Sequence, residues 1–199
     1  MDKPAPTTVP LAAPIRARWS PRAFAATVPT DAELRSLLEA ARWAASCVNE
    51  QPWRFIVAVK GRGDAWQRLF DCLAAGNQSW CAAVPVLMLS VAVPGFRRNG
   101  NANRHAQHDV GMASAQLAVQ AADMGLAVHF MAGFDVDRAR AAFAIPADHQ
   151  PMAAIAVGHP GDPATLTEEQ RGRELAPRAR LELGEIAFAG DWGRPFVPD

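Results

Sequence analysis

The sequence predicts a layered α+β or α/β fold around a central, buried sheet, and three observations carry that reading. Helix-like and strand-like stretches interleave along the chain, and the run Val84–Val93 is apolar throughout, the form of a strand covered on both faces. No repeat of roughly 20–50 residues and no internal linker divides the sequence. At 199 residues the chain can bury one substantial core, whereas two separate cores would each be small, so residues 1–199 are read as a single domain.

The elements follow in order. Residues 1–14 are rich in proline and read as a flexible N-terminal segment. Thr30 with Glu33 forms a capping-box pattern, and Leu34, Leu37, Leu38 and Ala41 continue at helical spacing, which predicts a helix from about Asp31 to Ala45. Trp53–Val59 is β-branched and aromatic, and the glycine-containing stretch Gly61–Asp64 ends it, so it reads as a strand. A short helix is expected over Ala65–Ala75, then the Val84–Val93 strand, then a polar loop over Pro94–Gln107 of a length that often covers a binding site.

From His108 to Met124 the pattern is helical but nearly apolar all round, with Gly111 and many alanines. Such a helix must be enclosed by protein, either in the core or at a subunit interface. Val128–Phe134 and Ala153–Gly158 read as two more strands, separated by a helix that Asp135 can cap and Ile145-Pro146 ends. The chain beyond His159 reads as a short helix followed by an extended arm over about residues 181–199.

Composition narrows the function. Twenty basic and twenty acidic residues cancel, so no net field draws the protein to nucleic acid or to an anionic membrane. The stretch beginning at Met1 lacks the basic and apolar regions of a secretory signal, and the longest apolar run is too short to span a bilayer. The expected location is therefore the cytoplasm. Cys47, Cys72 and Cys81 are odd in number and form no CxxC pair, which points to reduced thiols rather than to a disulfide framework or a thiolate metal site. His105-Ala-Gln-His108-Asp109 has no established ligand geometry, and Asp109 there can cap a helix, so no metal is expected.

Three arginine clusters are candidate anion sites: Arg16, Arg18 and Arg22; Arg97, Arg98 and Arg104; and Arg178 with Arg180. Their company is what gives two of them meaning. The segment Arg18-Trp19-Ser20-Pro21-Arg22-Ala23-Phe24 resembles the N-terminal signature of FMN-dependent nitroreductases, and Ala45-Ser46-Cys47-Val48-Asn49-Glu50-Gln51-Pro52-Trp53-Arg54-Phe55 resembles that family's second signature. Asn77-Gln-Ser-Trp80, Asp109-Val-Gly111, Gly125-Leu126, Ala132-Gly133-Phe134 and Arg178-Ala-Arg180-Leu181 look like later landmarks of the family. The resemblance runs in order over roughly residues 15–185.

That resemblance implies an α+β, nitroreductase-like fold: a mostly antiparallel or mixed sheet flanked by helices, with a C-terminal arm reaching the partner subunit of a homodimer. It also implies FMN as cofactor and NADPH or NADH as electron donor. Arg18, Ser20, Arg178 and Arg180 would hold the FMN phosphate and ribityl region, with Trp19 a further cofactor-binding residue, and Arg22 would reach the N1/O2 edge, where negative charge accumulates on reduction. Ser46, Cys47 and Asn49 would contact the flavin from the other subunit, and Gln51 would be a further cofactor-binding residue. Asn77 would bond its pyrimidine edge, and backbone groups of Ala132 and Gly133 would face N5 and O4. Ala45 and Trp80 depart from the pattern, standing where a proline is frequent and where some members carry a lysine. The implied activity is ping-pong hydride transfer through flavin N5 to a nitroaromatic, quinone or enone, with no side-chain acid or base required. A flavin-destructase or dehalogenase-type enzyme on the same fold and a non-catalytic FMN carrier are the alternatives.

Overall fold

The computed structural model describes residues 2–196. Residue 1 of the N-terminal segment and residues 197–199 of the expected arm lie outside the described residues. Eight helices are named here: α1 (Ala13–Ala17), α2 (Asp31–Arg42), α3 (Ala65–Cys72), α4 (Ala75–Cys81), α5 (Ala106–Asp123), α6 (Val136–Ala142), α7 (Glu168–Leu175) and α8 (Leu183–Ile186). The four strands are β1 (Trp53–Val59), β2 (Val86–Ala92), β3 (Ala127–Met131) and β4 (Gln150–Gly158).

The strands form one sheet in the order β1-β2-β4-β3, and every named pair is antiparallel. Strand β2 is interior and fully buried, as its unbroken apolar sequence requires. Its side chains alternate between two cores. Val86, Met88 and Ala92 pack with Leu34, Leu37 and Ala41 of α2 and with Val110, Ala113 and Leu117 of α5. Leu87, Leu89 and Val91 face the other way, onto Leu69 of α3, Trp80 of α4 and Ala139 of α6. The result is a helix–sheet–helix sandwich of α+β class.

Leu89 is 0% exposed on this central strand. Leu89→Ala is expected to lower unfolding stability by about 3–5 kcal/mol, through lost burial plus the cavity left between the layers. Urea unfolding monitored by circular dichroism reads this directly, and a loss below about 1 kcal/mol would mean that the face collapses to fill the space.

Local signals explain most elements. The Thr30/Glu33 capping box forms as expected, with Glu33 N–H donating to Thr30 Oγ1 at 3.2 Å. Asp135 caps α6 through Arg138 N–H at 2.9 Å. Other expectations need correction. Helix α2 stops at Arg42 rather than Ala45, although nothing in Trp43-Ala44-Ala45 opposes helix; the following loop is drawn away by a bond to α5 described below. The helix expected over Ala65–Ala75 is two helices, because Leu73 and Ala74 leave helical geometry to meet residues 133 and 134. The same contact shortens β3, which ends at Met131 instead of Phe134. Strand β4 begins three residues early, at Gln150, and takes in Pro151 where its register with β2 shifts; a proline is tolerated at such an irregularity because the ladder there lacks a regular bond.

The segment expected to be flexible at residues 1–14 runs into α1, and Ala5 N–H donates to the Arg16 carbonyl at 2.8 Å. At the other end, α8 interrupts the stretch expected to be extended. Neither core cluster draws a residue from position 181 onward.

Candidate functional site

The first signature is held from three sides. Phe24 forms a β-bridge with Pro160, and Gly161 N–H donates to the Ala23 carbonyl at 2.8 Å. A Cβ at Gly161 would lie 2.5 Å from the Phe24 carbonyl carbon, so only glycine permits this approach. The Pro21 carbonyl lies 2.8 Å from Nδ1 of His129 on β3, a geometry that suits an Nδ1–H donor. Burial, aided by the Arg22 charge, pulls His129 below the ordinary imidazole range despite the opposing bonds to the Pro21 and Ser20 backbone, so a neutral ring fits the site. The third tether is Glu174 of α7, whose carboxylate accepts from the backbone N–H groups of Arg22 and Ala23.

This framework presents a cationic cavity of about 280 Å³ lined by Arg18, Trp19, Ser20 and Arg22 from the first signature and by Arg178 and Arg180 from the last. Residues about 160 positions apart in sequence thus meet at one place, roughly as the Arg16–Arg178 contact spans 162 positions. Arg18 Nη1 sits 3.4 Å from Ser20 Oγ, and Arg178 Nη1 donates to the carbonyls of Lys3 at 2.8 Å and Arg16 at 3.2 Å. Among the described residues, none of Arg18, Arg22, Arg178 and Arg180 forms an ion pair with a carboxylate. Burial first, then the charges of Arg178 and Arg180, hold Arg18 below the usual guanidinium range; burial and then Arg180 do the same to Arg178. Like charges gathered with their guanidinium donors unpaired favour the approach of an anion.

The second signature forms a strained loop. Ser46 precedes a 3₁₀ turn at Cys47–Asn49, and Val48, Asn49 and Gln51 have φ of 46°, 57° and 54°. Three non-glycine residues in the left-handed region within four positions need outside support. Support comes from Asp109 of α5, 2% exposed, whose Oδ2 accepts from Cys47 N–H at 3.0 Å, and from Ser46 Oγ, which accepts from Gln51 N–H at 3.0 Å. Asp109 therefore braces this loop rather than capping its own helix, the role its sequence position suggested. The Gln51 side chain donates to the carbonyl and Oδ1 of Asn49 at 3.0 and 3.1 Å. The adjoining Glu50 is buried and paired with Arg97 at 3.0 Å.

Asn77 and Gly133 form a third group. Asn77 Nδ2 donates to the Gly133 carbonyl at 2.9 Å, and Ala74 N–H reaches the same oxygen at 2.9 Å. A Cβ on Gly133 would come within 2.8 Å of Asn77 Nδ2 and push that side chain off the Gly133 carbonyl. Ala132 and Gly133 are exposed just beyond β3. This group joins the cationic cavity through Trp80 of α4, which lies buried between Phe24, at a ring distance of 6.3 Å, and His129, at 4.7 Å. Trp80 is thus core between two site segments.

The structure brings the first and third groups together but not the second. The Ser46–Gln51 loop enters β1 at one edge of the sheet, whereas Ala132 and Gly133 leave β3 at the other edge, three strand spacings or about 14 Å away. Glu174, Asp109 and His129, the three groups that hold these segments, were not singled out as site residues by sequence. Only their fold neighbours reveal them, because each acts on backbone far away in the chain.

Among the described residues, no group of three or more His, Cys, Asp or Glu is placed to hold a metal ion, and no helix is long and apolar enough to cross a membrane. Burial pushes the Cys72 and Cys81 thiols up from their ordinary range.

Fold and cavity together define a class: an antiparallel α+β sandwich with a cationic cavity lined by arginines from its first and last basic motifs. Comparison with known proteins gives that class a family. The model of the nitroreductase family matches residues 15–79 and 72–159. An uncharacterized 15.4 kDa protein of Mycolicibacterium smegmatis is 42% identical over 150 residues, covering 72% of this chain and 99% of its own. A Xanthomonas oryzae pv. oryzae (strain PXO99A) protein named as an NADH dehydrogenase/NAD(P)H nitroreductase is 27% identical over 179 residues, covering 80% of this chain and 89% of its own. A crystal structure described as an oxidoreductase containing FMN superposes with a TM-score of 0.88 at 31% identity, covering 94% of this chain and 96% of that one. The chain belongs to the nitroreductase family of oxidoreductases.

Proposed function

We propose that the protein is an FMN-dependent NAD(P)H oxidoreductase that works as a homodimer and passes electrons to an electron-poor small molecule such as a nitroaromatic, quinone or enone. The observation that carries this reading is the cavity in which Arg18, Arg22, Arg178 and Arg180 gather beside Ser20 with no carboxylate paired to them. Arg18, Arg178, Arg180 and Ser20 bind the phosphate and ribityl end, with Trp19 beside them. Two or three guanidiniums neutralise a phosphate dianion well. The FMN-containing structural relative and the relative named for NAD(P)H support the choice of cofactor and donor.

Bound FMN supplies the hydride chemistry at N5 in a ping-pong cycle; the chain supplies binding, orientation and electrostatics. Arg22 sets a fixed positive charge where the ring becomes negative on reduction. Asn77 holds the pyrimidine edge, while the exposed backbone of Ala132 and Gly133 offers polar groups at N5 and O4. Ser46, Cys47, Asn49 and Gln51 belong to the second subunit's side of the site, in keeping with their position on the opposite edge of the sheet. Protons come from water, flavin or substrate, since the carboxylate that lines the cavity, Glu174, is engaged with the backbone N–H groups of Arg22 and Ala23.

The arm from residue 181 supports the dimer. Leu181, Leu183, Ile186, Trp192 and Phe196 are 65, 53, 63, 92 and 48% exposed, a run of apolar side chains that a partner's surface would cover. Arg22→Ala tests the electrostatic role: FMN is retained through the phosphate contacts, while its reduction by NADPH or NADH slows roughly 100- to 1000-fold, the order expected on removing one fixed donor to developing charge. Stopped-flow absorbance measures this, and an unchanged rate removes Arg22 from the role.

A further inference from the structure

We propose that Glu174 is the positioning residue of the cationic cavity: its buried carboxylate clamps the backbone of Arg22 and Ala23, and through that backbone aims the Arg22 side chain at the bound flavin. The inference rests on the FMN reading above.

The burial along α7 is inverted. Glu174 is 1% exposed, whereas the next residue, Leu175, is 54% exposed. Burying a carboxylate while leaving a leucine in water is costly, so Glu174 is not there for packing. Helix stability does not explain it either, because it lies in the last turn, where the helix dipole disfavours negative charge. Its partners do explain it. Oε1 and Oε2 lie 3.0 and 2.9 Å from Arg22 N, and Oε1 lies 3.1 Å from Ala23 N. The carboxylate thus satisfies two successive backbone donors, 152 and 151 positions away in sequence.

What Glu174 avoids is equally informative. It shares the cavity with Arg18, Arg22, Arg173, Arg178 and Arg180, yet among the described residues it makes no ion pair with any guanidinium. Arg173 pairs instead with Glu169. The carboxylate offsets the positive cluster while leaving the guanidinium donors available to an anion. Arg178 follows four residues later, past the end of α7, so the helix that carries Glu174 leads directly into the last basic motif. Geometry of this kind must be held to within a fraction of an ångström for a charge to act on a reacting ring.

The test uses full-length Glu174→Ala and Glu174→Gln with two readouts. Amide hydrogen exchange at Arg22 and Ala23 is followed in FMN-free and FMN-loaded protein, and flavin reduction by NADPH or NADH is followed with and without Arg22→Ala. In Glu174→Ala the two amides exchange about tenfold faster or more, because their acceptor is gone. Reduction slows about as much as in Arg22→Ala, and adding the second substitution slows it little further, since both act through one guanidinium. Glu174→Gln keeps an acceptor at Oε1 but sets an NH2 donor where Oε2 now accepts from Arg22 N–H, so it recovers part of the rate and of the protection. If the alanine variant does not fold, the glutamine variant crossed with Arg22→Ala is read by the same criteria, with a smaller non-additive loss expected. Unchanged exchange at both amides overturns the clamp. Faster exchange with an unaltered reduction rate, or fully additive losses, overturns the positioning role. Wild-type protein that takes up no FMN overturns the underlying reading, and the exchange measurement on FMN-free protein still decides the clamp separately.

Discussion

Replacing Arg180 by alanine is expected to raise the FMN dissociation constant by about 10- to 100-fold while leaving the melting temperature of the FMN-free protein unchanged or slightly higher. The binding loss follows from one charge-assisted contact to phosphate, typically about 1.5–3 kcal/mol. The stability half of the prediction is the more diagnostic. Arg180 is exposed, and among the described residues its guanidinium bonds only to the carbonyl of its neighbour Ala179, at 2.7 Å. Its charge helps depress both Arg18 and Arg178, which means that the three cations repel one another when no anion lies between them. Removing one relieves that repulsion. A residue present for the fold would behave in the opposite way, lowering the melting temperature and leaving affinity untouched. Fluorescence titration with FMN and a thermal melt of the stripped protein separate the two. Arg178 is a poorer choice for this experiment, because it also ties Lys3 and Arg16 into place.

Truncation after Arg180 is expected to have the second large effect: the proposed dimer gives way to a monomer that does not retain FMN, although its sheet and both cores survive. Among the described residues, neither core includes one beyond this point, so their deletion removes no packing from either cluster. What it removes is five large apolar side chains held in water, which is a poor arrangement unless something covers them. Covering side chains of this kind contributes on the order of 1.5–3 kcal/mol each when complete, so one arm can supply much of the free energy of a dimer. Loss of the dimer separates the Ser46–Gln51 loop from the cavity it is proposed to complete. Sedimentation and flavin content after gel filtration read the two consequences. A truncated protein that stays dimeric and yellow places the subunit contact elsewhere, with the exposed faces of α2 and α5 next in line.

Much of this architecture is legible in sequence because the signals are local. The apolar run of β2 announces a strand covered on both sides, and Thr30 with Glu33 and Asp135 mark helix starts that form as written. Errors gather where distant backbone decides. Nothing near Leu73 warns that α3 must break there; the cause is the Gly133–Phe134 segment, which takes bonds from Ala74 and pairs with Leu73. Pro151 argues against a strand from sequence, and only the register shift on β2 makes room for it.

The site divides in the same way. Arginines with a matching serine, and glycine beside an asparagine, are residue types whose chemistry can be recognised in a row of letters. The fold then brings Arg18 to Arg178 and Asn77 to Gly133. The carboxylates that hold these segments were not recognised as such. Glu174 reads as one more charge on a polar helix, and Asp109 reads as a cap, because an acceptor for backbone N–H groups 152 or 62 positions away leaves no periodic trace.

The central claim is that the cationic cavity holds a flavin that nicotinamide can reduce. Its most direct test is the visible absorption spectrum of the purified protein, taken anaerobically before and after adding NADPH and then NADH. Flavin bands, present on purification or after incubation with FMN, that bleach with at least one donor are the predicted result. Failure to take up FMN, or bands that persist with both donors, contradicts it: the first removes the cofactor from the cavity, and the second leaves a flavin-binding protein that is not an NAD(P)H reductase.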